Sequence, residues 1–199
     1  MTIGIIGAGS IGGALARHLA RANLAAILSN NRGPDSLAEL VADIGAPARA
    51  GTRDEAAAQD LVIVAVNWSK LADALGSLPD FGGRIVIDAN NPLVAPTFQP
   101  ADLHGRLSSE VFSDHAPGAR VVKAFNHLAA AVLAEDPKVA GGRRVLFLAG
   151  ADAAAKAEVA GLIERLGFHP IDLGSLNEGG RAMSVPGGGL TTQNLVRFD

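Results

Sequence analysis

A glycine-rich turn close to the amino terminus constrains the fold more than any other feature of the sequence. An apolar, β-branched segment at residues 3–6 has the length of a strand and runs directly into Gly7, Gly9 and Gly12, which are spaced as G-x-G-x-x-G. Residues 14–21, which follow at once, are helix-forming. A strand, this glycine spacing and a helix in that order predict a turn that binds a dinucleotide.

Each glycine of the turn has a predicted task. Gly7 allows the tight turn, Gly9 lets a pyrophosphate approach the backbone, and Gly12 lets the helix pack against the strand. The helix that begins near Ser10 and Ile11 then directs its free N–H groups and the positive end of its dipole at the diphosphate. The alternative is a glycine-rich turn that binds no ligand.

The composition is that of a globular protein and narrows the range of partners. Hydrophobic residues make up 48% of the 199 residues and charged residues 19%, so the chain is rich in core-forming side chains. The net charge is −3 and no Lys/Arg cluster stands out, which argues against a nucleic-acid partner. No apolar run reaches the roughly 20 residues of a membrane span, and no signal peptide is recognisable. We therefore expect a cytoplasmic protein with no membrane partner.

Residue types that the chain lacks exclude several chemistries. The sequence contains no Cys, which excludes disulfides, thiolate catalysis and Cys-ligated zinc. It also contains no Tyr, and short-chain dehydrogenases need a Tyr–Lys acid. Its five His include no H-x-x-x-H pair, so we predict no metal site.

The second predicted strand spans residues 24–28, and the turn that follows it decides which dinucleotide is preferred. An NAD site places Asp or Glu about 20 residues beyond the glycines, where it accepts from the ribose 2′-OH. This chain instead has Ser29, Asn30, Asn31 and Arg32, with no carboxylate before Asp35. Hydroxyl, amide and guanidinium donors suit a 2′-phosphate. The turn therefore predicts NADP, unless Arg32 is simply a solvated turn residue.

Apolar strand segments and helical segments alternate from residue 2 to residue 89. This alternation predicts an α/β fold of the Rossmann type, a doubly wound parallel sheet with helices on both faces. Ligands of such sheets lie beyond the carboxyl ends of the strands. Val66, Asn67, Trp68, Asn90 and Asn91 occupy such positions and are predicted to contact the nicotinamide and its ribose. The alternatives are that Trp68 packs against the following helix and that Asn90 belongs to an ordinary loop.

Several segments together resemble one family. They are the glycine turn, residues 29–32, residues 67–68, residues 121–126 and residues 194–198. With them the chain resembles the NADP oxidoreductases that depend on the deazaflavin coenzyme F420, relatives of the nucleotide domain of membrane ferric reductases, over essentially its whole length.

The resemblance implies a cofactor, an acceptor and an assembly. It implies hydride transfer between NADPH and a deazaflavin or flavin-like acceptor in a homodimer. An NADP-binding Rossmann domain would span residues 1–120, and a small carboxyl-terminal α/β unit on the same sheet, residues 121–199, would complete the acceptor site. The 2′-phosphate contacts map onto Ser29 and Arg32. The family shows more basic residues where Asn30 and Asn31 stand, and tends to show His where this chain has Asn126.

Hydride transfer between two rings requires little more than stacking, with the reacting atoms roughly 3–3.5 Å apart. On this interpretation the acceptor slot is formed by Asn126, Pro186, Gly187 and Gly188. His127 is a candidate proton donor near neutral pH, or else a structural residue. Lys123 is expected to pack along its stem and is given no role.

Two other functions have to be weighed against this one. A non-catalytic redox sensor that binds NADP would have the same motifs. A minimal relative of the 6-phosphogluconate dehydrogenases would reduce a small carbonyl or imine, but those enzymes add a long helical substrate domain and use a Lys or His base.

Overall fold

A central sheet of ten strands organises the protein, which a computed structural model describes over residues 2–198. The strands in chain order are β1 Thr2–Ile6, β2 Ala25–Ser29, β3 Ala48–Ala50, β4 Leu61–Val64, β5 Ile85–Asp88, β6 Leu93–Val94, β7 Gln99–Pro100, β8 Arg120–Ala124, β9 Lys138–Val139, β10 Gly142–Gly150, β11 His169–Asp172 and β12 Val196–Arg197. Strands β6 and β7 form a separate hairpin, and the remaining ten form the central sheet.

The order of the main strands is β11-β10-β8-β5-β4-β1-β2-β3. Strands β3, β2, β1, β4, β5 and β8 pair in parallel, β10 is antiparallel to β8, and β11 is again parallel to β10. The short strands β9 and β12 extend the other end of β10. The predicted doubly wound α/β fold is confirmed, and near one edge β10 pairs antiparallel with β8, β9 and β12.

Helices cover both faces of this sheet. They are α1 Ser10–Arg21, α2 Ala38–Ile44, α3 Arg53–Ala57, α4 Leu71–Leu75, α5 Ser108–Asp114, α6 Ala130–Ala134 and α7 Ala153–Arg165. Helix α3 begins with a capping box, in which Thr52 and Glu55 exchange side-chain and backbone hydrogen bonds. None of the helices described between residues 2 and 198 is long and apolar enough to cross a bilayer.

The strands at the centre of the sheet are buried on both faces, which explains their continuous apolar sequences. In β5, Ile85 and Ile87 join the core beneath α1 and α7, whereas Val86 joins the core on the opposite face. Because side chains alternate along a strand, one apolar run supplies both cores. Since both faces of these strands are buried, residues that bind a ligand are expected at the ends of the strands.

Strand β8 lies where we predicted a boundary between two domains. It pairs with β5 on one side and β10 on the other, so residues before and after position 120 contribute to one sheet. The division into a domain of residues 1–120 and a unit of residues 121–199 stays a prediction.

Candidate functional site

The three glycines of the first turn meet different surroundings. Gly7 has φ +107°, and a Cβ built there would lie 2.2 Å from the carbonyl oxygen of Ala65. A Cβ on Gly12 would lie 1.9 Å from the carbonyl oxygen of Gly7. A Cβ on Gly9 would meet nothing within 4 Å, and its φ of −80° is open to any residue. The protein's own packing requires the first and third glycines but leaves open space at the second.

Helix α1 starts directly behind this open space. Gly9 provides no side-chain cap, and the first turn of the helix contains no acidic residue. The first N–H groups of a helix have no acceptor within it, and here they belong to Ser10, Ile11 and Gly12. Both Gly9 and Ser10 are exposed. This arrangement suits an anion, because free N–H groups and the helix dipole point to the same surface.

The turn after β2 lies beside the glycine turn. Gly7 donates its N–H to the carbonyl oxygen of Ser29 at 3.0 Å. The Ser29 side chain is fully buried, and its Oγ donates to the carbonyl oxygen of Ile5 at 3.1 Å. The expectation that this hydroxyl faces a 2′-phosphate therefore does not agree with the structure, because the hydroxyl bonds inside the sheet.

Of the remaining three residues of this turn, Asn30 forms hydrogen bonds within the loop, and Asn31 and Arg32 are exposed. Asn30 Oδ1 accepts from the backbone N–H of Arg32 at 2.9 Å, and Asn30 Nδ2 donates to Ser36 Oγ at 2.9 Å. Asn30 thus fixes the loop. Asn31 and Arg32 are exposed, and the Arg32 guanidinium has no ion pair within residues 2–198. This cation is available to an external anion.

Asn90 braces the ends of two strands and does not face solvent. Its Oδ1 accepts from the Val66 N–H at 2.8 Å, and its Nδ2 donates to the Val64 carbonyl oxygen at 3.1 Å and to Asp88 Oδ1 at 2.9 Å. Since its side chain is buried and its polar atoms are bonded, Asn90 shapes the predicted nicotinamide loop from beneath. We had expected Asn90 to contact the nicotinamide ring directly, but its buried position does not allow that contact.

The other residues of that loop are more accessible. Asn67 is exposed, and Trp68 is half-buried against the apolar core that includes Leu71. Val66 lies close to the glycine turn, since its Cγ1 is 3.0 Å from the position of a Cβ on Gly7. The residues predicted to contact the diphosphate therefore lie next to those predicted to contact the nicotinamide, along one edge of the sheet.

A buried ion pair beneath this edge was missed by the sequence analysis. Lys123 Nζ donates to Asp88 Oδ2 at 2.8 Å and to the carbonyl oxygen of Asn90 at 2.9 Å. Both charged side chains are 0% exposed. The sequence offered one signal for this pair, since Asp88 ends an otherwise apolar strand and Lys123 lies within another. The strand register then places the two residues side by side.

Two asparagines attach the carboxyl-terminal tail to the same edge. Asn91 Nδ2 donates to the Asn126 carbonyl oxygen at 2.7 Å, and Asn126 Nδ2 donates to Asn91 Oδ1 at 3.0 Å and to the Met183 carbonyl oxygen at 2.9 Å. Asn91 Oδ1 also accepts from the Val185 N–H at 3.1 Å. Asn91 was predicted to lie beside the nicotinamide, but its side chain bonds to Asn126 and to the tail.

The tail residues predicted to form the acceptor slot follow this attachment. Pro186 and Gly187 are exposed, and Gly188 is half-buried. A Cβ on Gly188 would lie 2.3 Å from the carbonyl oxygen of Ala182, so the path of the tail itself requires glycine there. These residues lie near Asn126, because Met183 accepts a hydrogen bond from Asn126 and Val185 donates one to Asn91.

His127 is part of the core. It is 1% exposed, and its ring centroid lies 4.7 Å from that of Phe147. Burial is the main cause that lowers the pKa of its imidazole to about 4. His127 is therefore neutral at pH 7 and shielded from solvent, so it does not act as the proton donor that we considered.

This histidine should make the protein less stable in acid. The unfolded chain, in which the pKa of His127 is about 6.5, binds more protons than the folded protein below that pH. The free energy of unfolding should therefore fall as the pH is lowered, by up to ~3 kcal/mol at about pH 4. In urea unfolding, a His127→Gln variant should show a smaller fall than the unsubstituted protein. Identical pH profiles of the two proteins would contradict this assignment.

Comparison with known proteins shows a similarity to one family over the amino-terminal part of the chain. Residues 2–92 include the glycine turn, the turn after β2 and the ends of β4 and β5. They match the family described as NADP oxidoreductase, coenzyme F420-dependent. Residues 2–92 carry this match, which is just under half of the 199 residues. The resemblance found in the sequence is thereby confirmed over residues 2–92.

Two solved structures resemble this chain along most of their length. A hypothetical protein from Sinorhizobium meliloti is 47% identical, with a TM-score of 0.93 over 99% of this chain and 96% of the other. A candidate F420-dependent NADP-reductase from Arthrobacter sp. FB24 is 28% identical, with a TM-score of 0.70 over 89% of this chain and 86% of the other.

A curated relative is much longer than this chain. The metalloreductase STEAP3 of Rattus norvegicus is 28% identical over 185 residues, which make up 92% of this chain and 36% of the relative. The chain therefore spans 36% of the length of the curated relatives that it matches.

Proposed function

We propose that this protein is an NADP(H)-dependent oxidoreductase that transfers hydride between NADPH and a flavin-like or deazaflavin acceptor. The observation that carries the proposal is the glycine at position 9. Packing gives no reason for glycine there, since a Cβ would meet nothing within 4 Å. A ligand that approaches the backbone and the uncapped start of α1 does give such a reason.

The choice of NADP follows from the turn after β2. The exposed side chains of Asn31 and Arg32 stand where NAD-preferring proteins place a carboxylate. A guanidinium binds phosphate through charge-assisted hydrogen bonds, and Asn30 holds the backbone of this turn in one shape. We infer that Asn31 and Arg32 contact the 2′-phosphate and that Ser29 supports them only through its backbone.

The nicotinamide half is expected to extend from the glycine turn along the ends of β4 and β5. In this arrangement Val66, Asn67 and Trp68 would line its path, while the buried Asn90 fixes their backbone. The acceptor would lie between this surface and the tail that Asn91 and Asn126 attach to the sheet. NADPH itself supplies the hydride, and the chain contributes binding, orientation and exclusion of water.

The residues around the site agree with a reaction that needs no protein nucleophile. The chain has no Cys and no Tyr, and His127 is buried and neutral at pH 7 because the pKa of its ring is lowered to about 4. Stacking two rings in near contact supplies most of what hydride transfer requires.

The test is oxidation of NADPH, followed by its absorbance, with a panel of acceptors. We expect turnover with the deazaflavin or with a free flavin. Turnover only with a small carbonyl or imine would overturn the proposal in favour of a dehydrogenase-like reductase. Tight NADPH binding without turnover on any acceptor would instead indicate a redox sensor.

Reversing the charge of Arg32 should separate the two dinucleotides. An Arg32→Glu variant is expected to lose about 100-fold in NADPH affinity but less than about threefold in NADH affinity, because only NADPH carries the 2′-phosphate. Titration of cofactor fluorescence measures both. The control is Arg165→Glu, the same charge change on an exposed arginine of α7. Equal losses for NADPH and NADH would contradict the assigned 2′ site.

We further infer, from the family resemblance, that the protein works as a cytoplasmic homodimer with a small-molecule acceptor as its partner. Light scattering coupled to size-exclusion chromatography tests the assembly. A mass equal to one chain of 20.2 kDa would contradict it.

A further inference from the structure

The pair formed by Lys123 and Asp88 is the most deeply buried charged feature that the structure describes. Both side chains are 0% exposed, and the Lys123 Nζ lies 2.8 Å from Asp88 Oδ2. Removing two charges from water is costly, and apolar residues of similar volume often stabilise a core as well or better. Stability alone is therefore a weak explanation for this pair.

The hydrogen bonds around the pair converge on one residue, Asn90. Lys123 donates to its carbonyl oxygen at 2.9 Å. Asp88 Oδ1 accepts from both the backbone N–H and the side-chain Nδ2 of Asn90, each at 2.9 Å. The main chain and the side chain of Asn90 are thus held at the same time, which leaves the residue little freedom to rotate.

Asn90 passes this constraint to the surface of the site. Its Oδ1 accepts from the N–H of Val66 at 2.8 Å, and its Nδ2 donates to the carbonyl oxygen of Val64 at 3.1 Å. Val66 is half-buried and borders the glycine turn at Gly7. An unbroken series of bonds therefore connects a core ammonium in β8 to the loop that follows β4.

We propose that Lys123 is a positioning residue for the nicotinamide half of the dinucleotide. It acts through Asn90 by fixing the backbone from Val66 to Asn67, over which that half is expected to lie. The inference rests on the proposed function and extends it to a residue that touches neither cofactor nor acceptor. A preformed loop binds more tightly because less freedom is lost on binding.

The adenosine half offers an internal reference for this proposal. It is expected to contact the glycine turn and Arg32, which share no hydrogen bond with Lys123, Asp88 or Asn90 among residues 2–198. Adenosine 2′,5′-bisphosphate contains that half and lacks the nicotinamide. Its affinity reports on the amino-terminal contacts alone.

The experiment uses a double variant that removes both buried charges with little change in volume, Asp88→Asn with Lys123→Met. We expect its NADPH affinity to fall about tenfold, with the affinity for adenosine 2′,5′-bisphosphate unchanged. The matched control is Asp172→Asn with Lys156→Met, because that ion pair joins α7 to the edge strand β11. The control should bind both ligands as the unsubstituted protein does.

Three results would overturn the proposal. The double variant could bind both ligands like the unsubstituted protein, or lose affinity for both equally, which would indicate a general effect on the fold. If the unsubstituted protein bound neither ligand, the proposed function itself would fail, and this inference with it.

Hydrogen exchange on the unsubstituted protein tests the inference without any variant. The backbone N–H of Val66 should be protected from exchange in the absence of ligand, because Asn90 Oδ1 accepts from it. Rapid exchange at Val66, as fast as in an exposed loop, would overturn the proposal even if the double variant did not fold.

Discussion

A Gly9→Ala variant is expected to lose about 100-fold in NADPH affinity while its free energy of unfolding stays within ~0.5 kcal/mol of that of the unsubstituted protein. The added methyl group meets nothing within 4 Å, and φ is −80°. The fold should therefore accept it. The methyl group would occupy the space into which the diphosphate is expected to approach. Fluorescence titration with NADPH and urea unfolding measure the two effects separately.

Two further glycines serve as controls for Gly9. Gly161 in α7 also has open space around it, so Gly161→Ala should leave NADPH affinity unchanged and stabilise the protein by ~0.5–1 kcal/mol through helix propensity. A Cβ on Gly12 would lie 1.9 Å from the carbonyl oxygen of Gly7, so Gly12→Ala should destabilise the fold itself. Undiminished NADPH binding by Gly9→Ala would remove the main support for the proposed function.

Replacing Lys123 by methionine alone is expected to lower the free energy of unfolding by about 3–5 kcal/mol. The substitution leaves the Asp88 carboxylate at 0% exposure with no cation beside it, and an unpaired buried charge is among the most destabilising changes in a core. Urea unfolding monitored by circular dichroism measures the loss.

The double variant Asp88→Asn with Lys123→Met provides the comparison for this prediction. Both charges are absent from it, so it should regain most of the stability that the single variant loses. A loss below about 1 kcal/mol in the single variant would mean that Asp88 reaches water or another cation, contrary to its described surroundings. The stability measurement is independent of the binding experiment on the same pair.

The local features of the fold could be read from the sequence because neighbouring residues determine them. The turn from Gly7 to Gly12 and the capping box of Thr52 and Glu55 involve partners three to five residues apart. The turn forms as predicted, and the box follows from the Thr-x-x-Glu spacing. The alternation of apolar runs with helical segments depends on strand and helix periods, which are also local. The doubly wound sheet follows from that alternation by general rules of connection.

The roles of individual site residues depend on partners that are distant in the sequence. Ser29 appeared available for a phosphate until the sheet placed the Ile5 carbonyl oxygen against its hydroxyl, 24 residues away. Asn90 became a brace because β4 lies beside β5, and its bond to Val66 spans 24 residues. His127 became a neutral core residue because Phe147 and the surrounding apolar atoms exclude water from its ring.

The sequence by itself determined that a strand, a glycine turn and a helix open the chain, and that a turn free of carboxylates follows the second strand. Only the tertiary structure decided which polar side chains remain exposed at the sheet edge and which form hydrogen bonds inside the protein. Lys123 illustrates the reason, because its partner Asp88 lies 35 residues earlier. A charge in an apolar strand has no assignable role until the strand register supplies its counterion.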